Sequence, residues 1–359
     1  MRIQKFLRIA RRFKRSSKAA HKVRGFTLIE LLVGLILTLL VIAPLLGFVV
    51  NIMNTDRQEQ AKVRSEQELQ AALEYISRDL QQAVYMYDSK ALNTNSNPLP
   101  AQSGIKNQLP NVPDGVPVLV FWRRKLIEKS LPFDPNVTQC SPNNPGQCND
   151  AFVYSLVAYY LIRDSAPNSP WSGTARIGRF EIQDGVKRID GTANNGAYVN
   201  ENDDRIGRDS GFKIFESAQG ANLTNTMNSW RNSGENFPPG KLPQNNILVD
   251  YIDQSTNAPA QETYTGVTPP YCPPNPTIIP NDPGWTQVPD YTNGGIPAQF
   301  QTFSFYACVL SSQNTARVFL RGNALARIRN VVPSYDASLS SFFPTAKIEV
   351  KSSAGLGRS

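Results

Sequence analysis

The residues able to do chemistry are few, and their positions limit the reactions available. The only histidine is His21, inside a basic N-terminal stretch, so residues 26–359 contain none. That removes Ser-His-Asp and Cys-His nucleophilic catalysis and histidine-ligated metal sites from the body of the chain. There is no Gly-x-Ser-x-Gly elbow. Gly240-Lys241 is preceded by Pro239 and followed by Leu242, which does not fit a phosphate-binding loop. Asp203 and Asp204 are adjacent in sequence rather than spaced as an acid/base pair. The chain therefore reads as a non-enzyme without a resident cofactor.

Cys140, Cys148, Cys272 and Cys308 all follow the apolar segment described below. The loop Ser-Pro-Asn-Asn-Pro-Gly-Gln between Cys140 and Cys148 suits a small disulfide ring, which would leave Cys272 to pair with Cys308; four cysteines allow three connectivities. A four-thiolate zinc site is disfavoured, because no two of these cysteines lie two to four residues apart. Asn200, Asn202 and Asp204 echo the start of a calcium loop, but Arg205 stands where glycine is needed and Gly211 where the closing glutamate is needed. A different calcium site in 200–209 stays open beside the simpler reading of a solvated acidic loop. Arg123-Arg124-Lys125 reads as a strand end facing water. Trp122, Trp171, Trp230 and Trp285 offer stacking surfaces, although burial is the commoner fate of such rings.

Charge is as uneven as the chemistry. The 359 residues hold 37 Lys+Arg and 29 Asp+Glu, a formal +8. Ten of those bases fall in residues 1–25, which contain no acid; the remaining 27 bases face 29 acids. The basicity is thus a tail, and a basic nucleic-acid-binding surface across the whole chain is not supported. Residues 26–53 follow, with Glu30 as their one charge and no other before Asp56. The run exceeds the ~20 apolar residues that cross a bilayer. It is also about twice the 7–15 residues of a secretory h-region. Basic residues before the run place the N-terminus in the cytoplasm and the body across the inner membrane, in a periplasm where cysteines pair. An acid four residues into a membrane segment calls for a cationic partner.

Arg24-Gly25-Phe26-Thr27-Leu28-Ile29-Glu30-Leu31-Leu32-Val33 closely resembles the signal of type IV pilins and type II secretion pseudopilins. The resemblance implies cleavage by a prepilin peptidase between Gly25 and Phe26, with N-methylation of Phe26. It makes Glu30 the fifth residue of the mature chain, where a carboxylate meets the N-terminal amine of a neighbouring subunit and sets assembly register. It also implies a loosened stretch near 40–48, where Pro44 marks a kink. The partners implied are other pilins or pseudopilins, an assembly platform and an exported cargo. Glu74-Tyr75-Ile76-Ser77-Arg78-Asp79-Leu80-Gln81-Gln82-Ala83 resembles the end of this helix in J-type minor pseudopilins. The Pro/Asn-rich body behind such a signal also resembles pseudopilins linked to polysaccharide secretion in filamentous cyanobacteria.

These elements must be carried by a scaffold. Leu69, Leu73, Ile76, Leu80 and Val84 recur at helical spacing, so an amphipathic helix is expected over 54–88. Beyond it, 89–359 reads as a β-rich globular domain after an Asn/Pro/Ser/Gly-rich linker at 89–115. Strands are expected at 116–123, 152–163, 175–183, 212–216, 247–252, 303–311, 317–320 and 347–351. A hairpin is expected around Asp184-Gly185. Residues 190–245 and 255–298 read as surface insertions. The fold class is α+β: a 1–25 leader, a 26–53 transmembrane or filament-core helix, its amphipathic continuation, and an antiparallel sheet body. The function expected is that of a minor pseudopilin, a structural subunit at the tip of a periplasmic pseudopilus, with an adhesive, DNA-binding or glycan-binding minor pilin as the alternative.

Overall fold

The computed structural model describes residues 25–134, 140, 147–163, 169–189, 198–200, 203–216, 222–256, 272, 284–291, 296–329 and 332–354. The chain divides into two compact units, with the boundary between Asp56 and Arg57. One 54-residue helix, α1 (Leu28–Gln81), contributes to both.

In the first unit, α1 is apolar on every side, and each of its residues up to Asp56 is exposed. It is the one helix among the described residues long and apolar enough to cross a membrane. Residues 40–48 are helical throughout, so the loosened stretch expected around Pro44 is absent from the isolated chain. A proline removes one backbone donor, and the turns on either side carry the helix past it. Thr38 Oγ1 donates to Gly34 O at 2.7 Å within the same helix.

In the second unit, α1 buries Ala61, Ser65, Leu69, Ala72, Leu73, Ile76 and Leu80 as one stripe. The helix ends at Gln81, seven residues before the expected boundary. Val84 belongs to a strand, β1 (Ala83–Met86), rather than to the helical stripe. The run Val84-Tyr85-Met86 is β-branched and aromatic, and it pairs with a neighbouring strand in place of another helical turn. A short helix, α2 (Ser89–Asn93), follows in the expected linker, capped by the Asp88 carboxylate accepting from Ala91 N at 2.8 Å.

The body is two antiparallel sheets. The first has the order β1-β2-β3-β4-β5, with β2 (Gly115–Pro132), β3 (Cys148–Ile162), β4 (Ala175–Gln183) and β5 (Ile247–Ile252). The second has the order β6-β7-β8-β9, with β6 (Thr286–Val288), β7 (Phe305–Leu310), β8 (Thr315–Arg321) and β9 (Thr345–Lys351). A single apolar cluster joins Leu69–Leu80 of α1 to residues of both sheets. The architecture is thus the expected α+β one, a long helix on antiparallel strands. β4 and β5 have the expected bounds, whereas β2 and β3 are longer, and β1 and the three-residue β6 were not anticipated.

Three expectations are corrected. Residues 212–216 form no strand; Phe212 and Phe215 pack edge-on against Trp122, with ring centroids 5.7 and 5.2 Å away. Asp184-Gly185 is not a hairpin turn. Asp184 N donates to Tyr154 O beside β3, and Val186 pairs instead with Ile206 and Val199. Gly185 is needed there for close approach, since a Cβ would lie 2.5 Å from Tyr198 Cδ1 and 2.9 Å from Arg208 N. The described part of 190–245 is not a surface insertion, because Phe212, Met227 and Trp230 are core residues and a short helix, α3 (Leu223–Asn228), runs within it. Of 255–298, the proline pairs 269–270 and 273–274 lie outside the described residues.

Candidate functional site

The sequence places its strongest candidate residues at the start of α1. Thr27 is the N-cap and Glu30 the third helical residue, and they cap each other. Glu30 N donates to Thr27 Oγ1 at 3.3 Å, while Thr27 N and Oγ1 donate to Glu30 Oε2 at 3.3 and 3.2 Å. This reciprocal capping box satisfies donors that a helix start leaves unpaired, and it sets the carboxylate in the favourable field of the helix N-terminus. Phe26 is 83% exposed, and a Cβ added at Gly25 would meet nothing within 4 Å. Among the described residues nothing crowds Gly25, and Glu30 is exposed rather than enclosed. Among the described residues, the hydrogen bonds of Glu30 are the local ones with Thr27. Pro44, Leu31, Leu35, Leu39, Ile42 and Leu46 continue an apolar surface and are exposed.

A second constellation, which sequence reasoning missed, lies in the body. Arg123, read above as part of a solvent-facing strand end, is buried in the middle of β2. It pairs with Asp79 near the end of α1, with Glu181 on β4 at 2.7 Å and with Ser155 on β3 at 3.2 Å. Arg179 on β4 donates to the same two acids, to Asp79 Oδ2 at 2.9 Å and Glu181 Oε2 at 2.8 Å. Tyr159 donates its hydroxyl to Asp79 Oδ2 at 2.7 Å. Burial would raise the Glu181 carboxyl, but Arg179, Arg123 and Lys125 outweigh it and hold the group at about 2. Burial and then the Asp79 charge push the Tyr159 phenol well above its ordinary range, so it stays a donor. The cluster fixes the last turn of α1 to three strands. Strand alternation hid it: Arg123, Ser155, Arg179 and Glu181 occupy one face of the sheet, but only the sheet order brings them under Asp79. The remaining basic neighbours are also engaged. Arg124 stacks over Phe152 at 3.8 Å, and Lys125 donates to Gln183 Oε1 at 2.7 Å.

The other candidates resolve as follows. Cys140 pairs with Cys148 and Cys272 with Cys308, the local connectivity preferred above. Trp122 and Trp230 are buried against each other, Trp285 lies under Arg317, and Trp171 is exposed, so the four form no common strip. In the acidic loop, the Asp203 carboxylate accepts from Arg205 N at 2.8 Å and Ile206 N at 3.2 Å and serves a turn. Asn202 lies outside the described residues. Among the described residues no group of three or more His, Cys, Asp or Glu is placed to hold a metal ion.

Comparison with known proteins adds one match. The prokaryotic N-terminal methylation motif matches residues 20–46, the segment that contains Gly25, Phe26 and Glu30. Neither a curated protein nor a solved structure matches the chain. The motif followed by the long apolar helix is consistent with the type IV pilin and pseudopilin family, whose subunits a prepilin peptidase processes and which assemble with one another.

Proposed function

We propose that the chain is a minor subunit of a pilin-like filament built at the inner membrane. The prepilin peptidase cuts between Gly25 and Phe26 and methylates Phe26. Residues 26–53 hold the chain in the bilayer as a single pass and afterwards form the filament core. The body is periplasmic, and Glu30 takes the N-terminal amine of a neighbouring subunit as its counter-ion. The observation that carries this reading is the apolar half of α1, exposed on all sides behind a matched methylation motif. Leaving so much apolar surface in water is strongly unfavourable, at roughly 25 cal/mol per Å². Lipid covers it first and neighbouring helices cover it later.

A body of more than 270 residues with two sheets argues for a subunit present in few copies, at or near a tip, rather than for the repeating one. The machine is a type II secretion or type IV pilus-like exporter, and the resemblance to pseudopilins linked to polysaccharide secretion makes polysaccharide the candidate exported material. Intact-mass and N-terminal analysis of the protein from its native membrane tests the reading. A chain beginning at Phe26 and carrying one added methyl is the expected result. A chain that retains residues 1–25 in the assembled fraction contradicts it.

A further inference from the structure

The part of α1 that meets the body is held in two different ways. From Leu69 onward its buried apolar side chains, Leu69, Ala72, Leu73, Ile76 and Leu80, belong to the main apolar cluster. Over 57–68 the buried residues are Ala61 and Ser65, and neither belongs to that cluster. A methyl and a hydroxyl remove little apolar surface from water, so this stretch gains little from burial. An open groove of about 700 Å³ runs beside it, lined by Arg64, Glu68 and Tyr75 of α1 and by Leu248 and Tyr251 of β5. The helix is therefore not seated closely on β5 there.

Contacts that reach this stretch come from the connection between β8 and β9. Its two ends are pinned together, since Gly322 N donates to Pro344 O at 2.9 Å and Ala324 N to Phe342 O at 2.8 Å. A 3-10 turn lies on each arm, Leu325–Arg327 on one and Ala337–Phe342 on the other. From the first arm, Arg327 Nε donates to Ser65 Oγ at 2.9 Å, and Nη2 pairs with Glu68. The same guanidinium lies 4.0 Å over the ring of Tyr251, so Arg327 ties α1 to β5 beside the groove. From the second arm, the ring of Phe342 lies 4.4 Å from the Lys62 ammonium, which also bonds Glu59 at 2.8 Å. Leu325 and Phe343 are buried, but they too lie outside the main apolar cluster. Ion pairs and cation–π contacts of half-exposed groups hold less strongly than a row of buried aliphatic side chains.

We propose that the two arms of the β8–β9 connection form a releasable strap over α1. When Arg327 leaves Ser65 and Glu68, residues 57–68 come off the body while 69–80 stay docked in the main cluster. Twelve residues of helix span about 18 Å, so release adds roughly three turns to the part of α1 that other molecules can reach. What that added length serves rests on the filament reading, in which neighbouring helices pack along α1. The release itself is a property of the single chain and does not depend on processing or assembly.

The test is iodoacetamide labelling of the full chain in detergent. The four native cysteines are paired, so an introduced thiol reports alone. Ala61→Cys and Ala72→Cys place a thiol at a buried position in each part of the attachment. The thiol at 61 should react about a hundredfold faster than the one at 72, because local opening precedes global unfolding. Arg327→Gln should speed labelling at 61 by about tenfold or more through loss of a charge-assisted hydrogen bond, and leave labelling at 72 unchanged. Arg64→Gln removes a pair within α1 and none to the strap, so it should change neither rate. The proposal is overturned if positions 61 and 72 react at one rate. It is equally overturned if Arg327→Gln leaves position 61 unchanged or speeds both positions alike, or if Arg64→Gln acts as strongly as Arg327→Gln. If Arg327→Gln does not fold, Glu68→Gln carries the test, and an unchanged rate at 61 then refutes the strap. Either outcome is read on the unassembled chain, so a failed strap leaves the filament reading standing, and the reverse also holds.

Discussion

Glu30 and Asp79 are both acids of α1, and their surroundings are opposite. Glu30 is exposed, and its partner Thr27 is three residues away. Asp79 is buried, and its partners Arg123, Tyr159 and Arg179 are 44, 80 and 100 residues away. The first acid sits in a segment whose helix start is held by local capping and whose composition is apolar. The second anchors a segment whose helix is held by tertiary packing. One continuous helix thus contains a half built to be covered by something else and a half already covered. The acid in the first half bonds only a near neighbour among the described residues, whereas the acid in the second is committed to the fold.

That contrast can be broken most sharply at Asp79. Asp79→Ala leaves Arg123 and Arg179 short of a counter-ion in a buried site, and it should cost about 3–5 kcal/mol of unfolding free energy. Chemical denaturation of the detergent-solubilised chain measures this, and a loss below about 1 kcal/mol would show that the cluster is not an anchor.

Acidification sharpens the same point. Because Glu181 is held near 2 in the fold against an ordinary value of 4.5, its contribution is fully present above about 4.5 and is lost as the pH falls through 2. The shift corresponds to a few kcal/mol. Unfolding free energies measured between pH 6 and 2 should fall for the native sequence and fall less for Glu181→Gln. The variant is needed as a reference because burial raises Asp253, which titrates in the opposite sense.

Reduction should come next in size. Breaking the Cys272–Cys308 bond, which spans 36 residues and ends on buried β7, should cost about 2–4 kcal/mol. A Cys272→Ser/Cys308→Ser variant with an unchanged denaturation midpoint would remove the disulfide from the account of stability.

The smallest effect on stability belongs to Glu30, and it comes with the largest effect on assembly. Glu30→Ala loses one half of a capping box at an exposed helix start, worth about 1 kcal/mol or less. The body's denaturation midpoint should not move, and cleavage at Gly25 should continue. Filament entry, scored by sedimentation and immunoblot, should drop severely. Normal entry of the variant would remove Glu30 from the assembly reading.

The difference between these two acids also explains what was legible in the sequence. Signals carried by near neighbours came through. They include the Gly25-Phe26-Thr27-Leu28-Ile29-Glu30 motif, the apolar run, the helical stripe through Leu80, the bounds of β4 and β5, and the ring of Cys140 with Cys148. Signals that need distant partners did not. Arg123 looks solvent-facing until β3 and β4 are laid beside β2. Phe212 and Trp230 look like loop residues until Trp122 is present to receive them. Gly185 looks like a turn until Tyr198 closes on it.

The sequence by itself determined the helix, its apolar first half, the processing motif and the β character of the body. Hydrophobic period, charge asymmetry and capping are properties of a dozen consecutive residues. Only the tertiary structure decided where α1 stops, because β1 is defined by the strand it pairs with. It alone decided that the body is two sheets, and that Arg123 of β2 and Arg179 of β4 face inward around Asp79. The physical reason is that a buried charge is tolerable only with its partners in place, and those partners are brought together by sheet order rather than by spacing along the chain.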